Sequence, residues 1–155
     1  MNFKCHGKSY TIKDKPKMDA SEIVNRILTS LQNNDNPTKN YGLKYLFHMS
    51  SQENRIALAN YHRNYTPDKK LPTSFIELMN NNIYAPLINH TQFKILDKSL
   101  DTINECVCYL SIRIYFNKNK NNQISYRDYK FYFERQYKPD WNLYHYWRLS
   151  AIMMI

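Results

Sequence analysis

Histidine is the side chain best suited to acid–base chemistry near neutrality, because its unperturbed pKa lies in the physiological range. Three of the five histidines stand where a fold could use them. His145 alternates with Leu143, Trp147 and Leu149, so on a strand it shares their face. His90 closes the segment Tyr84-Ala85-Pro86-Leu87-Ile88-Asn89-His90, and His48 follows Phe47 in a helical stretch. The competing reading for each is a structural histidine bonded to backbone. Carboxylates offer less. A carboxyl group held in an apolar cavity has a raised pKa and serves as acid or base. Here Glu105, Asp128 and Glu134 alternate away from the apolar faces of their strands, and Asp97 and Asp101 sit at a turn.

The three cysteines, an odd number, argue against a disulfide framework. Cys106 and Cys108 are two apart in an apolar run and face one way on a strand. They have the look of half a metal site, but no second Cys/His pair has suitable spacing, so buried free thiols are the expectation. With two glycines in the chain a phosphate-cradling loop is nearly excluded, and no nucleophile elbow is present. No cofactor and no metal are expected.

The formal charge of +9 invites a nucleic-acid reading. Its source weakens that reading. The excess is mostly lysine, in a chain rich in Asn, Tyr and Ile, which is the composition AT-rich coding produces, as in a large DNA virus or a protist. The lysines are also scattered, at Lys13, Lys15 and Lys17, at Lys69 and Lys70, and at Lys118 and Lys120. The aromatic supply has the same two readings. Tyr126, Tyr129, Phe131, Tyr132, Phe133 and Tyr137 crowd one strand. Such residues stack the bases of single strands, or they fill a core and a sheet-to-sheet contact. Burial is the expectation. No apolar run approaches the ~20 residues that span a bilayer, and Met1 to Gly7 lack the apolar stretch of a secretory signal. An intracellular protein with no membrane partner is expected.

The elements that would position these residues fall into two halves. Residues 1–18 read as a basic arm, with Ser9 to Ile12 a possible edge strand, and 19–155 as a single domain. Asp19 and Glu22 form a capping box ahead of Ile23, Val24, Ile27, Leu28 and Leu31, one apolar stripe of a helix. Asn33 or Asn34 in the left-handed conformation closes that helix, and Pro37 prevents its resumption. A second helix is expected from Tyr41 to Leu58, with Leu43, Leu46, Phe47, Met49 and Ile56 buried. An exposed loop follows at 60–71. A third helix starts after Pro72, with Ser74 and Glu77 as its capping box and Phe75, Ile76, Met79 and Ile83 on one side.

From His90 the period changes to two. A short strand at Phe93 and Ile95 ends near Asp97 to Asp101. A second runs over 103–116 with Cys106, Cys108, Leu110, Ile112, Ile114 and Phe116 inward. A third, over 124–137, turns Tyr129, Phe131 and Phe133 to one side, and after Lys138-Pro139-Asp140 a last strand covers 143–154. Three helices followed by about four antiparallel strands make an α+β domain with helices on one face of a curved sheet.

The capped helix ending at Leu31-Gln32-Asn33-Asn34-Asp35-Asn36-Pro37, then Gly42, Phe47 and Phe75, the Tyr84-x-Pro86-Leu87-Ile88-x-His90 segment and a terminal strand around Trp147 form a joint pattern. Over residues 19–152 it resembles an uncharacterised family of plant, algal and bacterial proteins. That family is similar to the nuclear transport factor 2-like superfamily, the cone-shaped α+β fold of ketosteroid isomerases and polyketide cyclases. The chain departs from the family at Asn89, where glycine is usual, and at Ser150, where an acid is common. The resemblance implies a pocket between the helices and the concave sheet, lined by Phe47, His48, Tyr84, His90, Tyr129, Phe131, Phe133 and Trp147, fit for a small apolar ligand. It also implies pairing through the outer sheet face, at Tyr109, Arg113, Tyr115 and Tyr132. Three functions follow as expectations. The first is a non-catalytic, homodimeric binding or assembly module. The second is a lyase, isomerase or cyclase using His145 with a tyrosine in the cone. The third, least favoured, is a basic accessory protein for nucleic acid.

Overall fold

A computed structural model describes residues 2–5, 7–11, 19–100, 105–119, 121–138 and 143–155. The turn expected at Pro139-Asp140 and the lysines at 13, 15, 17 and 120 lie outside the described residues. A hairpin of β1 (Asn2–Cys5) and β2 (Lys8–Thr11) comes first, so the helices do not open the chain. Four helices follow: α1 (Ala20–Gln32), α2 (Tyr41–Met49), α3 (Gln52–Ala59) and α4 (Thr73–Met79). A 3-10 turn at Ala85–Leu87 leads into β3 (Gln92–Leu100), β4 (Val107–Asn117), β5 (Ile124–Lys138) and β6 (Leu143–Met154). These last four make one antiparallel sheet in chain order, and β1 and β2 pair only with each other.

α1 forms as its sequence dictates. The Asp19 carboxylate accepts from the Glu22 backbone N–H at 2.9 Å, satisfying one of the donors a helix start leaves open. Ile23, Val24, Ile27, Leu28 and Leu31 are all fully buried, as the stripe predicts. Its end differs from expectation. Asn33 is not left-handed (φ −122°), and the Leu31 carbonyl is taken by the Asn89 N–H at 2.8 Å. Asn89 itself is the left-handed residue, at φ 55°.

α2 is capped from outside. Its own N-cap, Asn40, makes no side-chain cap bond. Instead the Asn34 carbonyl accepts from Gly42 N–H at 3.0 Å and the Asn34 Oδ1 from Leu43 N–H at 3.0 Å. This brings α2 so close to α1 that a Cβ on Gly42 would stand 2.5 Å from the Ser30 carbonyl oxygen and 2.9 Å from the Leu31 Cα.

The long second helix expected over 41–58 is two helices. Ser51 caps α3 by accepting from Asn54 N–H at 3.1 Å, while Ser51 N–H donates to the Leu149 carbonyl at 2.8 Å, tying the break to the edge of β6. The interruption turns Ile56 outward, to 38% exposure, and Asn54 and Arg55 inward. The capping box expected at Ser74 and Glu77 does not form. Pro72 is the N-cap, and the Ser74 hydroxyl donates to the Ala59 carbonyl, 3.3 Å away, across to α3. Ile83 lies beyond α4 and is exposed. The 60–71 loop is not wholly exposed, because Tyr65 and Leu71 are buried in the core.

The sheet follows its alternation. Cys108, Leu110, Ile112 and Ile114 of β4, Tyr129, Phe131 and Phe133 of β5, and Trp147 and Leu149 of β6 join the α1 stripe, Leu43, Leu46, Phe47, Phe75 and Leu87 in one contiguous core. β3 runs on to Leu100, past the turn expected at Asp97, through a bulge between Ile95 and Asp97. Further bulges at Tyr132/Phe133 and Gln136/Tyr137 bend β5 against β6.

The cysteines depart most from expectation. Cys5 and Cys106 are joined in a disulfide, and Cys108 is the thiol left over, buried. An odd count does not exclude one bridge, and the second partner comes from the hairpin rather than from the strand itself.

Replacing Gly42 by alanine forces a methyl group against the α1 backbone at Ser30 and Leu31. The expected loss is about 1–3 kcal/mol, the usual cost of overpacking, seen as a lower urea midpoint at constant slope. A midpoint equal to the parent's would show that the α1–α2 crossing has room the geometry denies it.

Candidate functional site

The inner face of the sheet, where the resemblance puts a pocket, is packed ring on ring. Phe47 lies at its centre, with ring centroids 4.9 Å from Tyr65, 5.5 Å from Tyr61 and 4.6 Å from Phe75. Phe47, Tyr129, Phe131 and Phe133 have no exposed surface, and Trp147 is 5% exposed. Two phenols on this side are committed to backbone. Tyr129 OH donates to the Ile83 carbonyl, and Tyr84 OH donates to the Ile152 carbonyl at 3.2 Å. Burial holds the Tyr129 phenol above its usual pKa and pushes Tyr65 up to about 12, so neither is a ready proton donor at neutrality.

His90 is 2% exposed, with Nδ1 2.8 Å from the Leu87 carbonyl and its ring edge-on to Phe93. A carbonyl only accepts, so Nδ1 carries the proton. Nε2 is then a bare acceptor, buried without a partner. Burial lowers the pKa of this ring, because a charge at Nε2 would have nothing to solvate it. His48 is half-buried beside Tyr65, and its pKa is lowered first by burial and then by Arg148 and Arg55. The backbone of His145 is in β6, and its side chain lies outside the described residues.

The C-terminus of α2 gathers charges that sequence reasoning missed. Arg55 is buried, with Nε 2.9 Å from the Phe47 carbonyl and Nη2 2.7 Å from the His48 carbonyl. Arg148 reaches the same His48 carbonyl from β6, at 2.9 Å. The last carbonyls of a helix lack intrahelical partners and carry its negative end, which suits cations there. Two guanidiniums therefore finish α2, one from α3 and one from the sheet. Nothing in the pattern flagged Arg55, because its buried setting arises only when the helix breaks at Ser50-Ser51.

The outer face is where the remaining functional candidates meet. Tyr109 pairs across strands with Tyr132, Arg113 with Asp128, and Tyr115 with Tyr126. The Arg113–Asp128 pair is bidentate, at 2.9 and 3.0 Å, and the Arg113 hydrogen bond holds the Asp128 carboxyl below its usual pKa. Arg113 also lies 4.2 Å over the Tyr126 ring and Lys130 4.6 Å over the Tyr109 ring. The four residues expected at an interface are thus one connected surface.

An open depression of about 370 Å³ between α1 and α2 is lined by Asn25, Arg26, Thr29, Ser30 and Tyr45, with no carboxylate, histidine or cysteine among them. Among the described residues no cluster of three His, Cys, Asp or Glu side chains is placed to hold a metal ion, and no helix is long and apolar enough to cross a membrane. Compared with protein-family models, curated proteins and solved structures, the chain matches none.

Folding lowers the proton affinity of His90, so the unfolded chain takes up a proton first as the pH falls. Its contribution to stability is complete above about 6.5, the unperturbed value, and is lost as the pH drops from there through the lowered folded pKa. Urea melts should show stability falling between pH 7.5 and 5, and His90→Gln should flatten part of that slope, leaving the share of His48. An unchanged slope in the variant would remove His90 as a source. Separately, Arg55→Met keeps the stem and deletes the guanidinium. The Phe47 carbonyl then keeps the Ser50 N–H and the His48 carbonyl keeps Arg148, but each loses a charged donor. The expected cost in the same melts is ~2–3 kcal/mol, as for hydrogen bonds to a charged group; a loss under a few tenths would mean that water or Arg148 replaces it.

Proposed function

We propose that this chain is a non-catalytic assembly module of the cone-shaped, nuclear transport factor 2-like kind, which pairs with a second copy through the outer face of its sheet. The observation that carries this reading is the charge balance of that face. Across β3–β5 the register brings Lys94, Arg113 and Lys130 to the same side as Asp97, Asp128 and Glu134. Among these described strand positions three cations are matched by three acids, so two copies meeting through β3–β5 bring together balanced rather than like charge. A surface with both signs and exposed-edge tyrosines is self-complementary under a two-fold axis, and tyrosine and arginine are the residues that protein interfaces favour.

Three further features support the reading. The helices lie on one face of a four-stranded antiparallel sheet bent by bulges, as a cone requires. The aromatic residues expected to line a catalytic pocket are packed against one another, which favours assembly over turnover. A nucleic-acid groove needs an uncompensated positive stripe along its aromatics, whereas Arg113 and Lys130 here are matched by acids.

Light scattering on the eluting protein should give twice the 18.8 kDa chain mass at micromolar concentration. Tyr132→Glu puts a carboxylate at the centre of the paired face and should return the monomer with its circular dichroism unchanged. A parent that stays monomeric at every concentration would sink the proposal. Salt-dependent retention of single-stranded DNA or RNA at about 0.15 M salt would favour the nucleic-acid reading instead.

A further inference from the structure

We infer that the β1–β2 hairpin is a redox-controlled strap, fastened to the domain by the Cys5–Cys106 disulfide and released when a dithiol reduces it. The chain's three cysteines meet in one corner, although Cys5 is 101 residues from Cys106. The hairpin has strands of four residues that pair with each other and not with the main sheet. An isolated two-stranded hairpin is marginal in water, so its order depends on what holds it. Besides the disulfide, the Lys4 N–H donates to the Glu105 carboxylate, and the Cys5 side chain is buried.

The domain does not depend on the strap in the same way. Its contiguous core runs from Ala20 to Leu149 and includes neither Cys5 nor Cys106. Both cysteines are buried beside that core, at 0% and 1% exposure, so breaking the bridge removes a covalent attachment at its edge. Cys108 sits two residues beyond Cys106 but is fully buried, and burial pushes its thiol up to about 11. Its thiolate fraction near neutrality is small, and the thiolate is the attacking species in disulfide exchange. The bridge is thus protected from internal reshuffling, and because Cys5 and Cys106 are themselves buried, an outside reductant reaches it when the marginal hairpin frays.

The step balances as ordinary thiol–disulfide exchange. A thiolate of the dithiol attacks one sulfur of the Cys5–Cys106 bond and displaces the other cysteine as thiolate. The second thiol of the reagent then closes its own disulfide and frees the remaining cysteine. Two electrons and two protons pass to the protein, and the reagent leaves oxidised.

The test is hydrogen exchange on the full chain, oxidised with glutathione disulfide or reduced with dithiothreitol, with intact mass confirming a two-dalton difference. Reduction should speed exchange at the hairpin amides at least tenfold while the α1 and β4–β6 amides keep their protection. Cys5→Ser and Cys106→Ser should each behave as the reduced protein under both conditions, and Cys108→Ser should still respond. Three results would overturn the inference. The hairpin could stay equally protected after reduction, the core could lose protection together with it, or peptide mapping of the oxidised protein could find Cys5 free.

Discussion

A buried carboxamide costs free energy unless each of its polar atoms is bonded, and Asn34 meets that condition only when three separate segments are in place. Its N–H donates to the Asn89 side chain and its carbonyl accepts from Gly42. Its Oδ1 accepts from Leu43, and its Nδ2 donates to Asp35 and Asn40. One residue thereby ends α1, starts α2 and fixes the turn that leads into the sheet. The angle between α1 and α2, the placing of Phe47 in the core and the entry of β3 all follow from this single set of bonds.

α2 is held at both ends by residues that are not its own. Asn34 supplies the acceptors for its first N–H groups, and Arg55 and Arg148 supply donors for its last carbonyls. A helix of nine residues is too short to be stable alone. Its stability is tertiary, and the arginine from β6 makes it conditional on the sheet. Helical layer and sheet are therefore expected to fold as one cooperative unit, with the hairpin outside it.

Much of the scaffold was legible from residue spacing. Alternation located β4, β5 and β6 and turned Cys108, Leu110, Ile112, Ile114, Tyr129, Phe131, Phe133, Trp147 and Leu149 inward, because a half-buried strand must repeat every second residue. Phe116 is partly buried, and the side chains of Leu143 and His145 lie outside the described residues. The Asp19 cap and the α1 stripe were legible for the same reason at the helical period. What escaped was set by partners distant in sequence. The local signal for the helix break is weak, Ser51 being able to cap the Asn54 N–H, and what holds the break is the bond from Ser51 to Leu149 far along the chain. Cys106 read as a free thiol because its partner, Cys5, is equally remote. At the candidate site, alternation put Tyr109, Arg113, Tyr115 and Tyr132 on one face, and the histidine set was named without its settings. The lone Nε2 of His90 and the guanidiniums at the end of α2 depend on burial that no short window encodes.

The backbone conformations carry one more consequence, for how this sequence can change. Its two glycines are Gly7, held at φ 75°, and Gly42, where a β-carbon would collide with main chain. The other left-handed positions among the described residues, Asn40, Asn60, Asn89 and Asn122, are all asparagine, with φ between 51° and 59°. Asparagine tolerates that conformation better than other residues with a side chain. A bias away from glycine is therefore met at these four positions at small cost. At the α1–α2 crossing the obstacle is an atom rather than a dihedral, and asparagine offers no escape. Gly42 is the place where mutational drift in composition meets a steric wall.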